Sequence, residues 1–274
     1  MTGMTDYALA FLGVGNAQAK ELGDSAAVLL RDGQPRLLID CGPSVPARHD
    51  ARFGAPPPAL FITHTHLDHV GGMESLFVKL WFDPTRRGKM PLFVPVTVLP
   101  LLHQRVASHP NVLAEGGVNF WQAFQVVPVA QGFWLDGLWF DVFPVRHHAL
   151  NAAYGLALRG SFVYTGDTRP IPEVLATHAN SGEIVFHDCA LRGNPSHTGL
   201  DDLVREYPDS VRERLVLYHY EDGQAGQALQ HAGYRVARPG DSFPLPAPHA
   251  AALTPSTVMP APAASSPAMP GAGS

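Results

Sequence analysis

The stretch Thr63-His64-Thr65-His66-Leu67-Asp68-His69 decides how this chain is read. His64, His66, Asp68 and His69 place four metal-binding side chain types within six residues. They follow the apolar run Ala59-Leu60-Phe61-Ile62, whose composition predicts a buried strand. His64 and His66, two positions apart, leave a strand end on the same side and can grip one ion. Asp68 and His69, beyond a turn, can reach a second. Gly71-Gly72 is expected to let the backbone turn tightly beneath such a site. The competing reading, a polar His-rich surface loop, does not account for so tight a cluster of ligand types.

Working outward, apolar strands end in His or Asp at His64, His147, Asp167, His187 and His219. Open α/β sheets bind ligands beyond their strand ends, where side chains from distant parts of the chain meet. Strands are predicted over 7–14, 26–30, 36–39, 60–62, 92–98, 137–145, 154–158, 161–164, 183–186, 214–217 and 234–237. Asp32-Gly33 and Arg159-Gly160 supply turns. Helices are predicted over 71–80, 99–108, 200–206 and 223–231, the first from Met73, Leu76, Phe77 and Leu80 at helical spacing. From Pro244 to Ser274 Pro, Ala and Ser dominate and no Asp, Glu, Lys or Arg occurs. The expected organisation is one domain over 1–243 and a disordered tail over 244–274.

The bulk composition fits a layered α/β architecture. The 274 residues are 46% hydrophobic, enough for a sizeable core, and only 16% charged. A net charge of −5 argues against a broad nucleic-acid surface. Cys41 and Cys189 make neither a disulfide framework nor a Cys-rich zinc site and read as buried thiols. No basic-then-apolar leader and no long apolar run is visible, so a cytoplasmic protein without a membrane partner is expected.

Beyond the His-x-His-x-Asp-His cluster, the informative pieces are Phe11-Leu12-Gly13-Val14-Gly15, Ile39-Asp40-Cys41-Gly42, Val145-Arg146-His147, Gly166-Asp167-Thr168-Arg169-Pro170 and Leu217-Tyr218-His219. In order and spacing they resemble the metallo-β-lactamase superfamily over residues 7 to 243. The branch most similar is that of ribonuclease Z and the cyclic-phosphate phosphodiesterases. The resemblance implies a four-layer αβ/βα sandwich with two zinc ions at one edge of the sheets. It assigns His64, His66 and His147 to the first ion, Asp68, His69 and His219 to the second, and Asp167 as a bridge. His148 competes with His147, which is favoured because the family's ligand follows a Val-x pair. Imidazoles with carboxylates suit zinc, with manganese and iron as alternatives. Redox di-iron relatives carry Glu where His66 stands, which favours hydrolysis.

The chemistry implied is attack on a phosphodiester by a hydroxide shared between the ions, with Asp68 orienting it. His187, His197 and Asp188 are the candidates for protonating the leaving group. Asp40 either hydrogen-bonds a ligand imidazole or caps a strand. Ribonuclease Z inserts a long tRNA-gripping arm between the third His and the bridging Asp, whereas His147 and Asp167 are 20 residues apart. A small substrate such as a cyclic nucleotide is therefore expected rather than tRNA. A homodimer is compatible with this reading. The cluster also resembles class II cyclic-nucleotide phosphodiesterases, from which Glu74-Ser75 departs. The alternatives are a carboxylic-ester, thioester or lactone hydrolase, since glyoxalase II-like proteins share the cluster, and a metal-dependent ligand sensor.

Overall fold

The computed structural model describes residues 6–108, 111–113 and 116–249. Two seven-stranded mixed sheets, flanked by helices, form an α/β sandwich, as expected. The first sheet runs in spatial order Ser242–Leu245, Tyr7–Gly13, Ala26–Arg31, Gln34–Ile39, Leu60–Phe61, Met90–Pro95 and Phe124–Val129. The second runs Arg235–Val236, Leu215–Tyr218, Ile184–Asp188, Phe162–Tyr164, Tyr154–Leu158, Leu138–Pro144 and Gly132–Leu135. Hairpins build the antiparallel part of each, as at Asp32-Gly33, whose φ angles of 52° and 71° suit the tight two-residue turn. Parallel pairing takes over where helices cross between strands: Gln34–Ile39 pairs parallel with Leu60–Phe61, and Phe162–Tyr164 with Ile184–Asp188.

Aromatic side chains join the sheets. Phe11 of the first packs on Phe186 and Tyr218 of the second, ring centroids 5.6 Å apart in both cases. Phe133 stacks on Phe93 at 4.0 Å and on Phe61 at 5.7 Å. Outside the sandwich, the helix Met73–Trp81 buries Met73, Leu76, Phe77 and Leu80, the stripe its spacing predicts. The segment 99–108 differs from its predicted single helix: it begins as Leu99–Leu102 and widens into a π-helical turn over His103–Ala107. The strand Ser242–Leu245 pairs with Tyr7–Ala10 through Leu245, two residues beyond the boundary expected at 243. Residues 250–274 of the expected tail lie outside the described residues.

His49, in the helix Val45–Phe53, is buried and rests on the Phe53 ring at 4.8 Å. Its Nδ1–H donates to the Ala55 carbonyl at 2.8 Å, and its Nε2 is enclosed without a partner. Burial, helped by the Lys79 charge and opposed by the Ala55 bond, lowers its pKa to about 4. The unfolded chain protonates this ring below its ordinary pKa of about 6.5, while the folded one resists until about 4. Stability is therefore lost as pH falls through that window. Unfolding in urea at pH 7 and pH 4.5 should show wild type losing roughly 2 to 3 kcal/mol more than His49→Leu. Equal losses in the two proteins would refute this.

Candidate metal centre

The strand Leu60–Phe61 ends one residue short of the Thr63–His69 stretch, as its apolar run requires. Leu67–Val70 then forms a single helical turn. The chain turns at Gly71-Gly72, between two helices, as expected, but their φ angles of −64° and −84° are ordinary, so the turn itself does not require glycine. Glycine is required there by close approach: a Cβ on Gly72 would lie 2.3 Å from the Gly42 carbonyl oxygen, and one on Gly71 2.6 Å from that of Leu67.

The strand ends bring two clusters together. His64, His66, His147 and Asp167 form one, and Asp68, His69, Asp167 and His219 the other; either could hold a metal ion. All seven residues expected from the sequence are present, with Asp167 common to both sets. The Oδ2 of Asp167 lies 3.1 Å from His219 Nε2, 3.2 Å from His69 Nε2, 3.6 Å from His64 Nε2 and 3.9 Å from His147 Nε2. Yet both Asp167 oxygens and the Nε2 atoms of His64, His69 and His219 are buried without a hydrogen-bond partner. They converge on common points without facing one another as donors and acceptors. Buried polar atoms are seldom left so, and a divalent cation satisfies an arrangement of imidazole nitrogens around a carboxylate.

Partners behind the imidazoles fix which nitrogen faces inward. His69 Nδ1 donates to Asp40 Oδ2 at 2.8 Å. The Thr63 hydroxyl donates to the same oxygen at 2.7 Å, so it must accept from His64 Nδ1–H at 3.0 Å. His147 Nδ1–H donates to the Ser196 carbonyl at 2.9 Å. In each ring Nε2 is left with a lone pair directed at the cluster. Asp40 thus orients two imidazoles and does not simply cap its strand. Asp40→Asn should weaken metal-ion affinity roughly 10- to 100-fold while leaving the fold intact, as measured by competition with a chromogenic chelator. Unchanged affinity would reject that role.

Electrostatics follow the same convergence. Burial opposes the charged form of His219, but Asp167 and Asp188 outweigh it and raise its pKa to about 10. Burial opposes the charged form of His69 too, and Asp167 with Asp40 still holds its pKa well above the usual value. Burial would raise the pKa of Asp167, but His219, His69 and His64 drive it well below the carboxylate range. A divalent cation competes with protons for these Nε2 atoms.

The structure separates the remaining candidates. His147, not His148, joins the first cluster; His148 is exposed, its ring 4.9 Å from that of His66. His187 is not brought to the site. It is fully buried, its Nδ1–H donating to the Asp188 carbonyl at 2.7 Å and its Nε2 accepting from the Tyr207 hydroxyl at 2.8 Å. Asp188 accepts from His197 Nδ1 at 2.9 Å and from the Thr168 amide at 2.9 Å, and lies 3.3 Å from His219 Nδ1. His197 itself lines the cleft over the clusters.

That cleft has a volume of about 850 Å³ and also exposes Asn16, Arg105, Arg192 and Glu221, none of which the sequence reading singled out. Arg105 stands on the π-helical turn and donates from Nε to the Thr65 carbonyl at 3.2 Å, beside the first cluster. Among the described residues, no helix is long and apolar enough to cross a membrane.

Comparison with known proteins agrees with this geometry. The sequence model of a family described as Anti-Pycsar protein Apyc1 matches residues 7–243. The Anti-Pycsar protein Apyc1 of Saccharibacillus brassicae is 32% identical over 225 residues, 79% of this chain and 90% of the relative. That of Bacillus phage BSP38 is 28% identical over 256 residues, 85% of this chain and 96% of the relative. Among solved structures, a diphosphatase from the PhnP family superposes with a TM-score of 0.70 at 18% identity, covering 86% of this chain and 97% of that one. The metallo-β-lactamase fold protein YhfI from Bacillus subtilis gives 0.67 at 14% identity, covering 87% and 99%. Human short-form tRNase Z gives 0.60 at 17% identity, covering 86% and 98%. The fold is that of the metallo-β-lactamases.

Proposed function

Starting from the fact that this chain belongs to the Anti-Pycsar protein Apyc1 family, we propose that it is a phosphodiesterase that opens the phosphate ring of a cyclic nucleotide. The observation that carries this reading is the pair of clusters sharing Asp167 at the floor of an open cleft walled by Arg105 and Arg192. A phosphodiester is anionic and small enough for such a cleft, and guanidinium groups suit its oxygens. The chemistry is metal-dependent hydrolysis. His64, His66, His147 and Asp167 would hold one zinc ion, and Asp68, His69, Asp167 and His219 a second. Two such ions polarise a phosphoryl oxygen and make water a competent nucleophile near neutral pH.

The chain's own residues do the rest. Asp68, 9% exposed at the cleft, accepts a hydrogen bond from the attacking water and aims it at phosphorus. Asp188 holds His197 through Nδ1, leaving Nε2 to hand a proton to the departing ribose oxygen as the P–O bond breaks. Burial works against the charged ring of His197, but the hydrogen bond and charge of Asp188 raise its pKa, which suits a general acid. Between His147 and Asp167 stands only the hairpin of Tyr154–Leu158 and Phe162–Tyr164, with no arm for tRNA.

The test is a side-by-side panel of 3′,5′-cyclic nucleotides, bis(p-nitrophenyl) phosphate, thioesters and lactones on zinc-loaded wild type and Asp68→Ala. Cyclic nucleotides should turn over fastest, and Asp68→Ala should abolish that turnover. Faster hydrolysis of a lactone or thioester than of any phosphodiester would overturn the substrate class. Elemental analysis finding no transition metal in protein purified without chelators would overturn the metal assignment.

A further inference from the structure

Glu221 stands two residues beyond His219, where the chain leaves the strand Leu215–Tyr218. Its side chain lines the metal cleft, and its Oε2 is enclosed with no hydrogen-bond partner. A carboxylate only accepts, so this half-buried group on the cleft wall offers lone pairs to a donor on the ligand, and no protein donor competes for Oε2. Asn16 lies alongside: Gly15 bridges to Tyr220, and the Asn16 amide donates to the Tyr220 carbonyl at 3.3 Å. The Asn16 side-chain oxygen is taken by the Gln18 amide at 2.9 Å. Two carboxylates stand on this wall, Asp24, whose Oδ2 is held by the Ser44 amide and hydroxyl, and Glu221, whose Oε2 no protein donor holds. Its position differs from that of Arg105, which is tied to Thr65 beside the first cluster, whereas Glu221 adjoins the second. The cleft thus carries both signs, with Arg105 tied beside the first cluster and Glu221 two residues from His219 of the second.

We propose that Glu221 is a specificity-determining residue that selects substrates carrying a hydrogen-bond donor on the non-phosphate part, the donor being a nucleobase N–H or the ribose 2′-hydroxyl. This rests on the reading of the site as a cyclic-nucleotide phosphodiesterase. A nucleobase amino or imino group is an obligate donor, so it complements an acceptor-only carboxylate most completely. Removing the donor from the ligand strands the carboxylate, a loss larger than that of an ordinary contact.

The experiment has two arms, run on zinc-loaded wild type, Glu221→Gln and Glu221→Asp. The first compares kcat/KM for 3′,5′-cyclic AMP, its purine analogue lacking the 6-amino group, and its 2′-deoxy analogue. Wild type should favour cyclic AMP over one of the two analogues by roughly 10- to 100-fold, mostly through KM. Which analogue suffers identifies the donor. Glu221→Gln should collapse the preference, and Glu221→Asp should retain part of it. The second arm measures calorimetric affinity for AMP, purine riboside 5′-monophosphate and 2′-deoxy-AMP, which needs no turnover. The same preference and the same collapse are expected there. If wild type hydrolyses no cyclic nucleotide, the functional reading fails, and the calorimetry still decides the role of Glu221. A preference equal in wild type and Glu221→Gln, or none in wild type, overturns the proposal.

Discussion

Asp167→Asn should strip the protein of bound metal and lower turnover of its substrate about 10³-fold or more. Asp167 is 1% exposed and is the one residue common to both clusters. Asparagine keeps its shape but removes the negative charge that both sets share. It also brings an NH₂ group, a donor, among nitrogens whose lone pairs face inward at 3.1 to 3.9 Å. Both cation positions lose a ligand at once, so the effect exceeds that of changing a residue belonging to one cluster. The fold itself should persist because asparagine keeps the volume of the buried side chain, although the His219, His69 and His64 rings that favour the Asp167 charge lose its attraction and some stability goes with it. Elemental analysis, turnover and far-ultraviolet circular dichroism on the purified variant check the three parts. Full metal content with more than a tenth of wild-type activity would contradict the account.

Gly42→Ala should be the most damaging single-methyl change near the site. A Cβ at this position would stand 2.1 Å from the Asp68 carbonyl oxygen and 2.4 Å from the Asp24 Cβ. Neither can step aside cheaply. The Cys41 amide donates to the His69 carbonyl at 2.7 Å, and the Gly72 amide to the Cys41 carbonyl at 2.8 Å, locking the two loops backbone to backbone. On the other side the Ser44 amide donates to Asp24 Oδ2 at 2.7 Å. Overpacking of this kind costs roughly 3 kcal/mol. In a domain of this size that lowers the melting temperature by roughly 6 to 12 °C. The displaced Asp68 should cost a further drop in kcat of about 10²-fold. A Gly42→Ala protein with wild-type melting temperature and activity would show that the loops can yield.

The sequence made the sandwich and the clusters legible because strand ends are written in it directly: an apolar run, then a ligand. What it hides is the side of the strand. His187 and Asp188 are adjacent at one strand end, and successive side chains point to opposite faces. Asp188 turns to His197 and His219, while His187 turns to Tyr207. The helix Val45–Phe53 and the strand Phe124–Val129 are not legible because Pro46, Pro128 and mixed polarity blur their periodicity, and Gly132–Leu135 is too short to show one. Arg105 and Glu221 had no local signal. They reach the cleft only through the π-helical turn and the strand-end geometry, which arise after the sheets have paired.

The seven clustered residues come from both sheets. His64 to His69 follow a strand of the first, and His147, Asp167 and His219 follow strands of the second. An ion held by such a set ties together chain segments as far apart in sequence as Asp68 and His219, contacts that a denatured chain lacks. By mass action, every tenfold rise in the free concentration of the bound metal ion above its dissociation constant adds about 1.4 kcal/mol to apparent stability. The melting temperature of this protein is therefore a property of its buffer as much as of its sequence. Stability rankings among variants hold only when the free-metal concentration is fixed.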